Sequence, residues 1–326
     1  LPTPSSKPSL IPSKSRRATG SLALLALFLL SAETLPPVAV SDSKIVKKWT
    51  ISGDPHGVAV GADGTLYVGL ATPQAIIAID PKTGAVKQRV VLDSVDIAST
   101  KELVTLRTNR ERTRLYVANG SDESASILSL PNLAVVREVT MEGEPIRDAV
   151  PDPKNRYVYL LGRKVHVFDA KAEREVRTLP LDDPTAIAAT ASAVYVAAGD
   201  EVVSFDAATF AETSRTRLGA KPVTALVPMA NGEVAAFTND ALIANGRSNP
   251  VCLPAGSGPQ IAANAGELLL FAERKCAGSA PPAGAASLYG VSAYAVAYDP
   301  VSRTLAATDR AGSLTIYRVP RAAVVH

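Results

Sequence analysis

The stretch Arg114-Leu115-Tyr116-Val117-Ala118-Asn119 places tyrosine and valine at the centre of a short apolar run. β-Branched and aromatic side chains suit a pleated, buried surface, so the run reads as a strand. The pattern recurs. Leu66-Tyr67-Val68, Tyr157-Val158-Tyr159, Val194-Tyr195-Val196, Val234-Ala235-Ala236, Leu268-Leu269-Leu270 and Leu305-Ala306-Ala307 all align with Leu115-Tyr116-Val117. Their middle residues stand 49, 42, 37, 40, 34 and 37 positions apart. Self-similarity at a period near forty residues marks a repeat architecture.

Outward from each core the same local signals return. Pro55, Pro145, Pro184, Pro222 and Pro259 precede short apolar strands; proline lacks the amide hydrogen a central strand needs, so it marks where a strand begins. Gly61-Ala62-Asp63-Gly64, Asp152-Pro153-Lys154-Asn155 and Asp299-Pro300-Val301-Ser302 have the composition of hairpin turns. A third strand then ends at Asp80, Asp169 or Asp206, and a more polar fourth strand such as Val86 to Val91 follows. Four antiparallel strands in each of seven modules predict an all-β, seven-bladed β-propeller. The last module stops after its third strand, Leu314 to Tyr317, while Lys44 to Ile51 forms an orphan strand. The prediction is that this N-terminal strand completes the last blade and closes the ring, which removes exposed edges.

The propeller spans residues 42–320, with 321–326 as a tail. The 326-residue chain opens with a segment, 1–41, of different composition. It carries Lys7, Lys14, Arg16 and Arg17 and then an apolar run from Leu22 to Leu30. That order reads as a secretory signal peptide and spacer, predicting a periplasmic or secreted protein with no transmembrane helix in its mature form. Cleavage after Ala32 or after Ser41 are both compatible with the small residues there. The chain has 34 Lys and Arg against 31 Asp and Glu; removal of 1–41, with its four basic residues and the single acid Glu33, leaves 30 of each. A neutral mature chain gives no support to a nucleic-acid partner. The only cysteines, Cys252 and Cys276, would face an oxidising compartment, where a disulfide between them is plausible; two free buried thiols are the alternative.

Only three histidines are present, His56, His166 and His326. There is no Cys-x-x-Cys-His for covalent haem, no histidine pair at ligand spacing, no Gly-x-Ser-x-Gly elbow and no glycine-rich phosphate loop. In a propeller, ligands sit over the central channel, above the segments leading into the innermost strands. Those segments carry Asp54, His56, Asp96, Arg147, Asp148, Asp183, Thr185, Lys221, Gln260 and Tyr294. Carboxylates and an amide around one axis could hold Ca²⁺, and His56 beside Asp54 could serve acid–base chemistry. The plainer alternative is a channel lined by solvated polar residues. His166, in alternation with Val165 and Val167, is expected on a strand surface. Trp49 is expected to anchor packing. Arg107, Arg110, Arg112 and Arg114 read as a solvated basic loop or as a patch for an acidic protein partner.

Tyr116-Val117-Ala118-Asn119, the Asp-Pro turns at Asp152 and Asp299, and Asp80-Pro81-Lys82-Thr83-Gly84 resemble the YVTN-type β-propeller repeat family over roughly residues 44–320. At superfamily level the chain is similar to the propeller subunits of quinohaemoprotein and methylamine dehydrogenases. The resemblance implies an exported seven-bladed protein whose relatives mostly bind or assemble. The functional expectation is therefore a binding and assembly protein that recognises a protein partner or small ligand. The alternative is a propeller enzyme or enzyme subunit: a metal-assisted, lactonase-like hydrolase built on Asp54, His56, Asp96 and Gln260, or the non-cofactor subunit of a periplasmic dehydrogenase.

Overall fold

A computed structural model describes residues 44–71, 74–92, 103–119, 123–172, 174–219, 221–229, 233–244, 246–251, 261–262, 269–273, 285–289, 293–309 and 311–319. The first described strand is β1 (Lys44–Thr50), and the sheets follow in sequence order. The first blade is β2 (Pro55–Val60), β3 (Leu66–Ala71), β4 (Gln74–Ile79) and β5 (Val86–Val91); the second is β6 (Leu103–Thr108), β7 (Arg114–Asn119), β8 (Ser124–Ser129) and β9 (Ala134–Thr140). The third comprises β10 (Asp148–Pro151), β11 (Tyr157–Leu161), β12 (Val165–Asp169) and β13 (Arg174–Leu179), and the fourth β14 (Ala186–Ala189), β15 (Ala193–Ala198), β16 (Glu201–Asp206) and β17 (Glu212–Arg217). The fifth is β18 (Ala225–Pro228), β19 (Val234–Phe237), β20 (Ala241–Ala244) and β21 (Arg247–Pro250). Three short segments follow, β22 (Ile261–Ala262), β23 (Leu269–Glu273) and β24 (Ala285–Tyr289); then β25 (Ala295–Asp299), β26 (Thr304–Asp309) and β27 (Ser313–Arg318) form the terminal blade, with β1 as its outer strand.

Among the described residues this is a six-bladed propeller of four-stranded antiparallel blades, and the expected seven are corrected to six. The module read at Leu268 to Leu270 does not make such a blade. Its strands β22, β23 and β24 form a three-stranded sheet in which β23 and β24 run parallel. A tight hairpin cannot join parallel neighbours, which need a longer crossover. The stretch from Ala277 to Ala286, rich in Gly, Ala and Pro, is poor material for a hairpin arm. β1 does pair antiparallel with β27, from Lys44 opposite Arg318 to Thr50 opposite Ser313. The sheet it joins is one of the six, so closure of a seven-bladed ring by the N-terminal strand is not supported.

The recurring aspartates explain why each module repeats its turns. Asp63 Oδ1 accepts the Thr65 amide at 3.0 Å between β2 and β3. Asp80 and Asp206, at the ends of third strands, accept amides from Lys82 at 2.7 Å and from Thr209 at 2.8 Å. Each carboxylate thereby fixes a turn of short polar residues. A register shift also returns one turn earlier in four blades, at Ala78/Ile79, Ile127/Leu128, Val167/Phe168 and Ser204/Phe205. Such a bulge sharpens strand twist, and here it falls where the fourth strand begins.

Both faces of the first and third blades are covered. In β3, Leu66 and Val68 pack towards Leu314 and Ile316 of the terminal blade, whereas Tyr67 between them packs towards Leu106, Leu115 and Leu128 of the second blade. In β11, Val158 and Leu160 join Tyr116 and Ala118 of the second blade while Tyr159 joins Val194, Val196 and Phe205 of the fourth. Side chains alternate across a strand with a period of two, so a strand buried on both faces reads as continuously apolar. Trp49 of β1 lies against Gly84, where an added Cβ would stand 2.2 Å from its Nε1.

The innermost strands β2 and β6 approach each other tightly at Gly57. A Cβ there would lie 2.8 Å from Leu106 Cγ and 3.2 Å from the Leu106 amide nitrogen of β6. Because one obstacle is backbone, side-chain rotation alone cannot relieve the clash. Gly57→Ala is expected to destabilise the propeller by about 1–3 kcal/mol. Urea unfolding should show a lower midpoint at unchanged slope, and an unaltered midpoint would refute the close approach of β2 and β6.

Candidate functional site

The segments that lead into the innermost strands hold most of the polar candidates, and the structure brings three of them together. Asp54 adopts a left-handed backbone, φ 54°, after Gly53 at φ 103°. That bend, held by the Ala71 amide donating to the Asp54 carbonyl at 3.0 Å, aims the Asp54 side chain back at His56. His56 Nε2 lies 3.3 Å from Asp54 Oδ2; the imidazole side chain is 5% exposed and the carboxylate 51%. The Tyr294 ring stands 4.5 Å from the imidazole, tilted by 46°.

A carboxylate only accepts, so His56 Nε2 is the donor in this contact, and in the neutral ring Nδ1 then carries a lone pair. Nδ1 is buried and has no hydrogen-bond partner among the described residues. The His56 backbone is fixed separately, by the Thr308 hydroxyl donating to its carbonyl. The arrangement is a half-open carboxylate beside an enclosed imidazole and an aromatic ring. It can accept a hydrogen bond or a cationic group at Asp54.

Two other candidates serve the frame, whereas Asp183 is exposed and Lys221 pairs with Asp240 at the surface. Arg147 Nη2 donates to the Gly162 carbonyl of its own blade at 2.6 Å and to the Pro184 carbonyl leading into the fourth blade. Thr185 Oγ1 donates to the Val223 carbonyl ahead of the fifth blade at 2.7 Å. Asp96, Gln260, Cys252 and Cys276 lie outside the described residues. Among the described residues no group of three or more His, Cys, Asp or Glu side chains is placed to hold a metal ion.

Sequence reasoning missed two features. Arg107 sits in strand β6 and forms a bidentate pair with Asp148 of β10, Nε to Oδ1 at 2.8 Å and Nη2 to Oδ2 at 2.7 Å. Thr105 adds its hydroxyl to Asp148 Oδ1 at 2.9 Å. Nothing local signals a pair drawn from strands forty residues apart. Its partner's attraction holds the Arg107 guanidinium above its ordinary range.

His166 departs further from expectation. It is 8% exposed and held between two carboxylates, Nδ1 2.9 Å from Glu175 Oε1 and Nε2 2.9 Å from Glu144 Oε2. The alternation did place it opposite Val165 and Val167, but the loop carrying Glu144 folds over that face. Gly162 makes room for it, since a Cβ there would stand 2.7 Å from Glu144 Oε1. Burial pushes the Glu144 carboxyl up, but the Lys164 amide, the His166 ring and the Arg163 amide together outweigh burial and leave it below its ordinary value.

No protein-family model matches the chain, and no curated protein matches it. The YVTN-type resemblance is thus unconfirmed, and its seven blades give way to six. The fold itself is widely shared. The chain is similar to the Cps50 (Swd1) β-propeller domain of Myceliophteria thermophila, with 17% identity and a TM-score of 0.66 over 85% of this chain and all of that one. It is similar to hydrazine synthase of Kuenenia stuttgartiensis, with 13% identity and a TM-score of 0.63 over 86% of this chain and 97% of that one. A chain of a mitotic checkpoint complex gives 10% identity and a TM-score of 0.65 over 96% of this chain and 99% of that one.

The clamp around His166 carries a pH signature. Because the folded value of Glu144 is depressed, its contribution to stability is fully present above the unfolded carboxyl value of about 4.3. It is lost as pH falls through the lower folded value. Between about pH 5 and pH 3, urea midpoints should therefore fall less steeply for Glu144→Gln than for the parent. Parallel profiles would show that the carboxylate contributes nothing.

Proposed function

We propose that this protein is an exported binding and assembly protein, a rigid propeller that presents its surface to a protein partner. The observation that carries this reading is the use made of the axial polar groups. Arg107, Arg147, Thr185 and Thr308 each donate across a blade boundary. Those donors hold blades in place and are spent before any ligand arrives. Among the described residues the Asp54 carboxylate stays half open, with His56 and Tyr294 beside it, a small recognition point on a stiff frame. The likeness in fold to a chain of a mitotic checkpoint complex supports use of such a frame in assemblies. Export rests on the composition of residues 1–41. Among the described residues, no helix is long and apolar enough to cross a membrane.

The enzyme reading has one specific observation in its favour, the Asp54–His56 contact. Native mass spectrometry of the protein, purified gently from the envelope fraction of its source, separates the two. The expected result is a co-purifying polypeptide in fixed stoichiometry that is released on denaturation. A bare chain that hydrolyses lactones or esters, with the activity abolished in Asp54→Ala and His56→Ala, would overturn the binding reading.

A further inference from the structure

Eight large apolar side chains are markedly exposed among the described residues, and six of them lie on three outer strands: Ile45 and Val46 on β1, Val86 and Val91 on β5, Val135 and Val136 on β9. These strands belong to successive blades. The terminal blade packs on the first through Trp49, Leu314 and Val58, and the first on the second through Tyr67 and Leu115. The same strands carry Lys44, Lys47, Lys48, Lys87, Arg89 and Arg137 against the single acid Glu138. Lys87 reaches Asp80 only at 3.7 Å, and Lys47 donates to the Lys82 carbonyl. The contrast lies on β17, where Arg215 is matched by Glu212 and Glu201, and Arg217 by Asp200 and Glu201. One wall of the propeller is thus both cationic and apolar.

We propose that this wall is the docking surface of the partner, and that the docked element is an extended segment alternating acidic and apolar residues. The inference rests on the platform reading above and names its partner's chemistry. β1, β5 and β9 are edge strands of their sheets, so each turns a row of backbone donors and acceptors outwards, and an added strand satisfies them. The interleaved Lys and Val positions then select acidic and apolar side chains by turns. A second copy is disfavoured, because a two-fold contact would set this cationic wall against itself. The chain's own segment 1–41 is disfavoured for the same reason, having four basic residues and one acid. Beside β9 a cleft of about 340 Å³ between the second and third blades, lined in part by Val136, Arg137, Arg114, Phe168 and Asp169, offers depth for one larger side chain.

The test is fluorescence anisotropy of a labelled peptide of about ten residues, alternating glutamate and valine, with the whole protein. Binding is expected, weakening with added salt. The double variant Lys48→Glu/Arg89→Glu should lose roughly tenfold in affinity, and Val86→Ser/Val91→Ser about fivefold. Arg217→Glu on the opposite wall should change it less than about twofold. Thermal melts of each variant verify folding. No binding, equal affinity across the variants, or preference for phosphatidylserine vesicles over the peptide would overturn the proposal. A co-purified partner whose binding survives Lys48→Glu/Arg89→Glu would sink this wall while leaving the platform reading intact; no partner at all would sink the platform reading itself.

Discussion

A blade is a sheet with two apolar faces, and it is stable only when a neighbour stands on each side. That constraint governs the rest of the molecule. Tyr67 and Leu66 are adjacent in β3, yet they enter different cores on opposite sides of one sheet. Among the described residues the cores between successive blades from the terminal blade to the fifth are shared in this way, while one further cluster is drawn from the fifth blade alone. Burying a Leu or Tyr side chain is worth about 1.5–3 kcal/mol. The loss of one blade would expose residues on both neighbours and not only its own.

The axial ties add direction to this non-directional packing. The Arg107–Asp148 pair is lopsided, with the carboxylate side chain 11% exposed and the guanidinium 44%. An enclosed carboxylate costs several kcal/mol unless its acceptors are filled, and here two guanidinium nitrogens, the Thr105 hydroxyl and the Ala149 amide fill them. The net gain is small. The geometric consequence is larger, because the pair fixes how far β6 and β10 can slide past one another. Thr308 on His56 and Thr185 on Val223 set the same kind of stop at other boundaries. Stiffness at the axis is what leaves the outer wall free to vary in composition.

How much of this was legible in the sequence depends on the range of the interaction. Turns are local, and Asp80, Asp152 and Asp299 announced them correctly. Strand type was also local, as Leu115-Tyr116-Val117 shows. The blade number was not, since Leu268 to Leu270 has the right spacing but its neighbouring strand β24 runs parallel to β23, and spacing carries no strand direction. The site was partly legible. Asp54 and His56 are two residues apart and were seen together, whereas Arg107 and Asp148 meet only because adjacent blades bring them together. His166 was misjudged for a related reason: its period was right, but no pattern in β12 reports that Glu144 arrives from another element to cover it.

The same argument applies to charge. Thirty basic and thirty acidic residues after residue 41 suggest a surface without preference, and a sum over the chain cannot show otherwise. In a propeller every fourth strand of each module is carried to the rim, so residues some forty positions apart become neighbours on one wall. Lys48, Arg89 and Arg137 are scattered in sequence and gathered by topology. Most of the acids go elsewhere, Asp63 and Asp206 into turns, Asp148 onto Arg107, and Glu201 and Glu212 onto Arg215, while Asp80 holds a turn and also stands 3.7 Å from Lys87. A neutral chain therefore acquires a cationic wall as a by-product of how its modules fold, and the exposed valines of β5 and β9 make that wall a surface with two chemistries instead of one.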